Sequence, residues 1–483
     1  MNSQSTTDGL LRSKPIAAGT SAAGVLEFLN AAQREGLDHH TLLIARHGKL
    51  AVELYRWPYS ATRPRIAHSI AKAFTSAAVG LAISEGHLKL SDRVIDFFPE
   101  HVPPVVSENL RAMTVRDLLT MRTGHAEETS GSIWRAIETS WIAEFLKIPV
   151  VHRPGEVYVY TSAASYMLAA VFTAATGQSL HQYLRPRLFE PLGIVGETWD
   201  IGPDGFNPGG NGLTCEVSDL LKFGLLHLQK GLWDGKRILP EQWIDDATRP
   251  VGDSGYGYHW VTGPEGEFFA MGLFGQLIAV LPARDAVVVL NSALNRPDAC
   301  SGMWVPLLHR HLNVIFPRAL SNNITNRAAE LELESRIAQL AEPAELSSSI
   351  QPALTGELHY SIDNNDLGIS RIRFSFAHDR CTLSMRYADA EHSIVVGMNK
   401  WIEGVTDIPG AQLHHGYGVT PARVVAGASW QGEHHLTMTW IFAEMTFRDK
   451  VECDFSNDRL ILHRSVNVNS GATSWPALHG KRI

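Results

Sequence analysis

Two apolar, strand-like regions at opposite ends of a helical stretch set the frame for this chain. The first, "TLLIARHGKLAVELY" (Thr41–Tyr55), reads as two strands around a His47-Gly48 turn. The second, "EFFAMGLFGQLIAVLP" followed by "AVVVLNSAL", reads as strands joined at Ala283–Asp285. Between them the periodicity is helical. Helices are expected from Ser69 to a stop at Gly86 and over "MTVRDLLTMRTG", with Thr114 as N-cap and Gly124 as stop. Two more are expected over Ser162–Gly177 and Val217–Gly231. Val25–Glu35 forms a further helix ahead of the first strands. Strands that open and close a region filled by helices fit an α/β (α+β) fold. Its antiparallel sheet is flanked by helices and carries an all-helical lobe.

The pattern changes after Pro317. "RAAELELESRIAQLAEPAE" is a charged, surface-type helix and "LSSSIQPA" a linker. From Leu354 to about Val468 nearly every segment alternates with period two, as in "ISRIRFSF" and "RLILHRSV". An antiparallel sandwich or small barrel is expected there. The expected organisation is therefore a loose tail over 1–22, a catalytic domain over 23–317, a helix and linker over 318–353, and a β domain over 354–483. A chain of 483 residues is too long for one ordinary core, which agrees with that division.

Composition excludes several classes. A formal net charge of −8 gives no electrostatic reason to bind nucleic acid or an anionic membrane. No apolar run reaches the length of a membrane span, and no basic n-region precedes an apolar h-region. The four cysteines (Cys215, Cys300, Cys381, Cys453) are scattered, which reads as free thiols in a reducing compartment. A cytoplasmic enzyme is the simplest expectation, and a homo-oligomer is compatible with it.

Three stretches carry chemistry. In "PRIAHSIAKAFTSAAVGLAISEG", Ser69 and Lys72 stand three residues apart at the head of an apolar helix, so they share a face. A serine hydroxyl becomes a nucleophile when a neighbouring base takes its proton. Burial among Ile70, Phe74 and Ala78 would favour the neutral lysine that such a base requires. The bland alternative is a cap and a snorkelling lysine. In "RPGEVYVYTSAASYMLAA", Tyr160 and Ser162 sit just before a helix, where a phenol could pass a proton to a leaving group. In "FFAMGLFGQLIAVLP", Gly272 and Gly275 would let a strand offer the Leu273 N–H to a substrate carbonyl, with the Ser69 N–H completing an oxyanion hole. In isolation each stretch reads more readily as packing, capping or a bend than as chemistry.

In this order and spacing, Ser-x-x-Lys, Tyr-x-Ser and the glycine-containing strand resemble the serine β-lactamase and penicillin-binding-protein superfamily. The chain looks most like its class C-like branch of esterases and 6-aminohexanoate-oligomer hydrolases. "MTVRDLLTMRTG", "GNGLTCEVSDLLKFGLLHLQKGLWDGKRILPEQWIDDATRP" and "YGYHW" look like family landmarks, and the resemblance covers about residues 25–312. It implies Ser69 as acylated nucleophile, Lys72 as its base and Tyr160 in proton transfer. It also implies Leu273 with Ser69 as oxyanion hole, Ser162 and Gly272 as supporting site residues, and no metal or cofactor. The third motif commonly carries a Lys or His where this chain has Ala270, and Tyr-x-Asn is here Tyr-x-Ser. The implied substrate is thus a small ester or amide without an obligatory carboxylate. Peptidase, weak β-lactamase or acyltransferase activity is the runner-up, and an inert binding protein keeping the fold is the rival from another class. The β domain resembles lipocalin-like appendages, with Trp401, Trp430 and Trp440 expected to pack.

Two decoys are set aside. "GDSGYG" (Gly252–Gly257) echoes another nucleophile signature but reads as a glycine-rich loop. The doublets His39-His40, His414-His415 and His434-His435 lack metal-ligand spacing and read as surface or satisfied polar residues. His68 reads as a packing or capping residue.

Overall fold

The hairpin and the distant strands do meet in one sheet, as the computed structural model shows. It describes residues 8–129, 133–295, 302–320, 323–346, 354–418 and 420–483. The chain enters through α1 (Ala22–Arg34), β1 (His39–Arg46) and β2 (Lys49–Tyr55), then α2 (Ala71–Ser84), α3 (Ser162–Thr176) and α4 (Val217–Leu228). The closing strands are β3 (Val261–Thr262), β4 (Phe268–Gly272), β5 (Gln276–Leu281) and β6 (Ala286–Ser292). The order across the sheet is β2-β1-β6-β5-β4-β3, antiparallel throughout. Leu42 lies opposite Leu54 on one side and Leu290 on the other. Val287 to Leu290 are fully buried, as expected of a central strand with both faces covered. Gly224 lets α4 lie close on this sheet, since a Cβ there would come within 2.7 Å of Val287 Cγ1.

Helix α2 is buried all round from Ala71 to Ala82, which marks it as the axis of the helical region rather than a surface helix. Phe74 stacks on Phe223 of α4 at 3.8 Å. These helices and the six-stranded sheet form one compact unit, comprising the described residues of 1–55, 61–292 and 298–339.

Three local expectations change. The "MTVRDLLTMRTG" helix starts on Thr114 as expected, capped by Asp117 (Thr114 N to Oδ2 2.8 Å), but spans only Val115–Leu119. Met121 adopts a left-handed φ of 56° and ends the helical run before Gly124. "EFFAMGLFGQLIAVLP" is two strands, β4 and β5, parted at Leu273–Gly275. Residues 8–21, read as a loose tail, are packed. Leu10 is buried, Arg12 pairs with Glu53 at 2.8 Å, and Ser21 caps α1.

The second unit holds the described residues of 56–60, 293–297 and 340–483. Nine of its strands, from Gly356–Ile362 to Leu478–Arg482, form a closed barrel, one of the two forms anticipated. The seam is parallel, Gly397 opposite Gly427 and Met398 opposite Ala428. Strand Ile402–Thr406 adds outside the ring on Ala422–Trp430. Arg464 points into the fully buried interior and bonds Asp449 through Nε at 2.7 Å, while His414 Nε2 meets the other Asp449 oxygen at 2.8 Å. Trp440 and Trp475 flank the guanidinium, with ring centroids 5.0 and 4.4 Å from its carbon. Trp430 and Trp440 pack as expected. Trp401 differs: its ring packs at a tilt against Trp57, centroids 4.8 Å apart, and walls a hollow of about 550 Å³ with Lys400 and Glu403.

Cys215, Cys381 and Cys453 are buried free thiols, and Cys300 lies outside the described residues. Most of the "LSSSIQPA" linker (347–353) lies outside them too. Among the described residues no helix is long and apolar enough to cross a membrane.

Candidate active site

The short strand Arg65–Ile66 pairs with Leu213–Cys215 and delivers the chain to a tight 3-10 turn, His68–Ile70, from which α2 continues. Ser69 therefore precedes α2 rather than lying within it. Residues i and i+3 eclipse in a 3-10 turn, so the pairing with Lys72 survives the change. His68 takes a left-handed φ of 48° and sets its ring edge-on to Phe274 at 5.7 Å, a packing role as expected.

Lys72 is 2% exposed, and its Nζ reaches Ser69 Oγ at 2.9 Å, Ser162 Oγ at 3.0 Å and the Gly210 carbonyl at 2.9 Å. These acceptors match the three protons of an ammonium; a neutral amine keeps a lone pair for the Ser69 proton. Ser162 is the first residue of α3, behind the N-cap Thr161. The ring of Tyr160 lies over Lys72, centroid to Nζ 5.1 Å. Gly210 was visible only as part of a longer sequence landmark. A Cβ there would meet Ser165 Cβ at 3.3 Å and Lys72 Nζ at 3.5 Å, so glycine lets this carbonyl close on the amine.

Strand β4 lies flush on the nucleophile turn. A Cβ at Gly272 would stand 2.8 Å from the Ala67 carbonyl, two residues before Ser69. The Leu273–Gly275 turn that follows is left-handed at Phe274 and Gly275, φ 62° and 87°. It is held from beneath: Gln276 Nε2 donates to Leu273 O at 3.3 Å and to Ser292 O at 2.9 Å. Ser292 Oγ donates to Gly275 O at 2.7 Å, and Trp304 Nε1 donates to Ser292 Oγ at 2.9 Å. Sequence reasoning missed Gln276 and Ser292, because nothing local distinguishes them from other strand residues.

A cavity of about 230 Å³ opens over Ser69 and Lys72, walled by Tyr158, Tyr160, Tyr256, His259, Val261, Phe269 and Met271. Ser162 joins it through Lys72; Gly272 and Leu273 are not among its lining residues. Ala270 is buried, and Met271 presents an apolar wall. Burial first, and then the charge of Lys72, push His259 down to about 3, so its ring is neutral. Glu128, on a nearby loop, is shifted up by desolvation, against the opposing pull of Lys72.

The decoys have structural roles. Ser254 of "GDSGYG" donates to Val251 O at 3.2 Å in a loop that buried Arg122 also braces through Val251 O at 2.9 Å. His39 and His40 are buried rather than at the surface, with His40 Nδ1 3.0 Å from Arg65. Among the described residues no group of His, Cys, Asp and Glu could hold a metal ion.

Comparison with known proteins adds ancestry to this geometry. Residues 29–305 match the protein family described as Beta-lactamase. The 6-aminohexanoate-dimer hydrolase of Paenarthrobacter ureafaciens is 23% identical over 286 residues, 53% of this chain and 73% of that protein. Penicillin-binding protein 4 of Amycolatopsis lactamdurans is 28% identical over 204 residues, 35% of this chain and about half (52%) of the relative. Among solved structures, EstCE1, a hydrolase with promiscuous acyltransferase activity, superposes with a TM-score of 0.50 at 17% identity. It covers 62% of this chain and 99% of its own. A Bacteroides dorei DSM 17855 chain, provisionally described as a beta-lactamase, gives 0.53 at 14%, covering 62% of this chain and all of its own. At such identities the structures speak for the fold alone.

Proposed function

The chain belongs to the beta-lactamase family, and from that premise we propose that it is a serine hydrolase forming an acyl-enzyme on a small carboxylic ester or amide. The observation that carries this reading is the 2.9 Å contact between Lys72 Nζ and Ser69 Oγ beneath an open cavity. Lys72, as the neutral amine, takes the Ser69 proton while Oγ attacks the substrate carbonyl carbon. The negative charge that forms on the carbonyl oxygen is met by the backbone N–H groups of Ser69 and Leu273. The Gln276–Ser292 network fixes the turn that carries Leu273. The proton then passes from Lys72, by way of Tyr160, to the leaving alkoxide or amine as its bond to carbon breaks. Water repeats the sequence: it gives a proton to Lys72, attacks the acyl carbon, and Ser69 recovers the proton as the acid departs. Ser162 Oγ and Gly210 O hold Lys72 in place throughout.

The apolar wall at Phe269 and Met271 supports acyl groups that need no carboxylate. The name of the Paenarthrobacter relative supports the amide arm of this reading. Steady-state hydrolysis of p-nitrophenyl short-chain esters and anilides, beside a penicillin, tests the assignment. Ser69-dependent turnover of the neutral substrates with weak penicillin turnover is expected. Strong Ser69-dependent penicillin turnover would overturn the substrate class. Inertness of the wild type towards activated esters would favour a binding protein.

A further inference from the structure

The cavity over Ser69 has walls that the chemistry above does not use. One comes from the sheet. Val261 of β3 lies opposite Phe269 of β4, and Met271 follows two residues on, so strand alternation places these three cavity-lining side chains on one face. Phe268 and Ala270, which alternate with them, belong to the hydrophobic core instead. Tyr158 and Tyr256 also line the cavity, with ring centroids 5.4 Å apart and planes inclined at 52°. Tyr256 is tied to the sheet wall by a backbone bridge to Val261. The run through Tyr158 is anchored by the Val159 N–H, which donates to Met121 O at 2.9 Å. The ring of Tyr160 is engaged with Lys72, 5.1 Å from centroid to Nζ.

Size and chemistry together say what such walls accept. The volume of about 230 Å³ exceeds the ~150 Å³ of an apolar cavity that holds benzene. It falls short of the ~300 Å³ at which sites for drug-sized ligands begin. One six-membered ring on a short linker therefore fills it. Apart from Lys72, no lining residue among those described carries a charge, the His259 ring being neutral. A ligand ring would meet Tyr158, Tyr256, Phe269 and the Met271 thioether. Aromatic rings attract one another in tilted and offset arrangements beyond what their buried area alone provides, and thioether sulfur packs favourably against a ring edge. A flexible alkyl chain filling the same space loses rotamer freedom that a rigid ring does not have to lose.

We infer that the cavity selects a single aryl group next to the scissile bond, with Tyr158 and Tyr256 as specificity-determining residues. The inference rests on the hydrolase reading above and names its substrate class: uncharged esters or amides that carry one phenyl-sized ring a carbon away from the scissile ester or amide group. Such a ring can belong to the acyl group or to the leaving group. In either place it is preferred over a saturated ring of the same size, because the saturated ring fills the volume but has no π-face to offer the tyrosines.

The test uses two ester pairs that differ only in a phenyl against a cyclohexyl ring, followed by proton release. Vinyl phenylacetate with vinyl cyclohexylacetate puts the ring on the acyl group; benzyl acetate with cyclohexylmethyl acetate puts it on the leaving group. The kcat/KM ratio of phenyl to cyclohexyl within each pair is measured for wild type, Tyr158→Leu, Tyr256→Leu and Tyr256→Phe, so intrinsic ester reactivity cancels between enzymes. In at least one pair the wild-type ratio is expected to exceed that of the leucine variants about three- to tenfold. The pair that responds shows which side of the substrate the cavity takes. Tyr256→Phe, which keeps the ring, is expected to keep the preference. Tyr256 is only 4% exposed and Tyr158 less buried, so Tyr158→Leu decides if thermal unfolding shows that Tyr256→Leu is not folded. Unchanged ratios in both pairs for a folded leucine variant overturn the inference. Loss of the preference in Tyr256→Phe overturns it too, by assigning the effect to the hydroxyl. Should wild type turn over none of the esters, the hydrolase reading fails separately. The aryl inference is then decided by ligand-observed NMR of phenylacetamide and cyclohexylacetamide on wild type and Tyr158→Leu. Tighter phenylacetamide binding that the variant loses supports it, and equal binding overturns it.

Discussion

Lys72 and Arg464 are both cations buried almost completely, one in each unit, and the chain treats them differently. Arg464 meets a carboxylate, Asp449, and its guanidinium sits between two indoles. Its charge is fixed by what surrounds it. The hydrogen bonds of Lys72 go to two hydroxyls and a backbone carbonyl, and a cavity opens beside it. Neutral acceptors accommodate an ammonium or an amine, so Lys72 is placed to change charge during a reaction, as the proposed mechanism requires. A buried cation neutralised in place is architecture; one whose hydrogen bonds go to neutral groups at a cavity wall can change charge, which is what the proposed mechanism asks of Lys72.

The largest expected contrast is in activity. Lys72→Met should lower Ser69-dependent esterase kcat/KM by roughly a thousandfold or more. Its unfolding free energy should fall only by what three neutral hydrogen bonds contribute, about 1.5–4.5 kcal/mol. A loss of stability large enough to account for the activity loss would break the comparison. Arg464→Met reverses the emphasis. It leaves Asp449 buried with His414 as its remaining partner, and should destabilise the barrel by about 3 kcal/mol in denaturant unfolding. Restoring most of that loss with Asp449→Asn in the same chain would sharpen the comparison. A smaller effect is expected at Ser162→Ala: a tenfold to hundredfold drop in kcat, on the order of a lost positioning hydrogen bond, with KM little moved.

The smallest effect concerns acid. Burial lowers His125 and His227 to about 4 and His259 to about 3, so these rings take protons more readily in the unfolded chain. Their contribution is complete above about pH 6.5 and is lost as pH falls towards 4. The slope is up to about 1.4 kcal/mol per pH unit for each. Asp219, raised to about 6 mainly by burial beside Lys222, works in the opposite direction and offsets one of the three. In the barrel, burial raises Asp449, but Arg464 and His414 outweigh it and hold the carboxyl below its usual value. Its stabilisation is lost only as pH falls below the usual carboxylate range, about 4. Hydrogen exchange at pH 5 against pH 7, corrected for intrinsic rates, should show β5 and β6 losing protection before the strand Arg448–Asp454. The reverse order would contradict the assignment of these groups.

Much of this was legible in the sequence, for local reasons. Ser69, Lys72 and Ser162 announce themselves through spacing and through their place at helix starts, and their meeting follows once α2 and α3 pack. The two-part sheet was legible because its strands are apolar runs bounded by turn residues. What escaped depends on long-range partners. The Gly210 carbonyl is a backbone atom, whose role no side-chain pattern encodes. Gln276 and Ser292 act by reaching across the sheet to a turn whose left-handed Phe274 could not be foreseen. His259 looked like part of a landmark, and only its place at the cavity edge, buried and close to Lys72, distinguishes it. The barrel was anticipated as a class, but its parallel seam at Gly397 and Gly427 is a closure between strands that local alternation leaves undetermined.

The measurement that bears most directly on the central claim is where the acyl group goes. Wild type and Ser69→Ala are mixed with p-nitrophenyl butyrate, quenched in acid within the first turnover, digested with trypsin and mapped by mass spectrometry. Cleavage after Arg65 and Lys72 isolates the peptide Ile66–Lys72, which holds Ser69. The account predicts that this peptide gains the butyryl mass in wild type, and that adduct and p-nitrophenol release both vanish in the variant. Rapid ester turnover with the acyl group on another peptide, or equal turnover by Ser69→Ala, would contradict it.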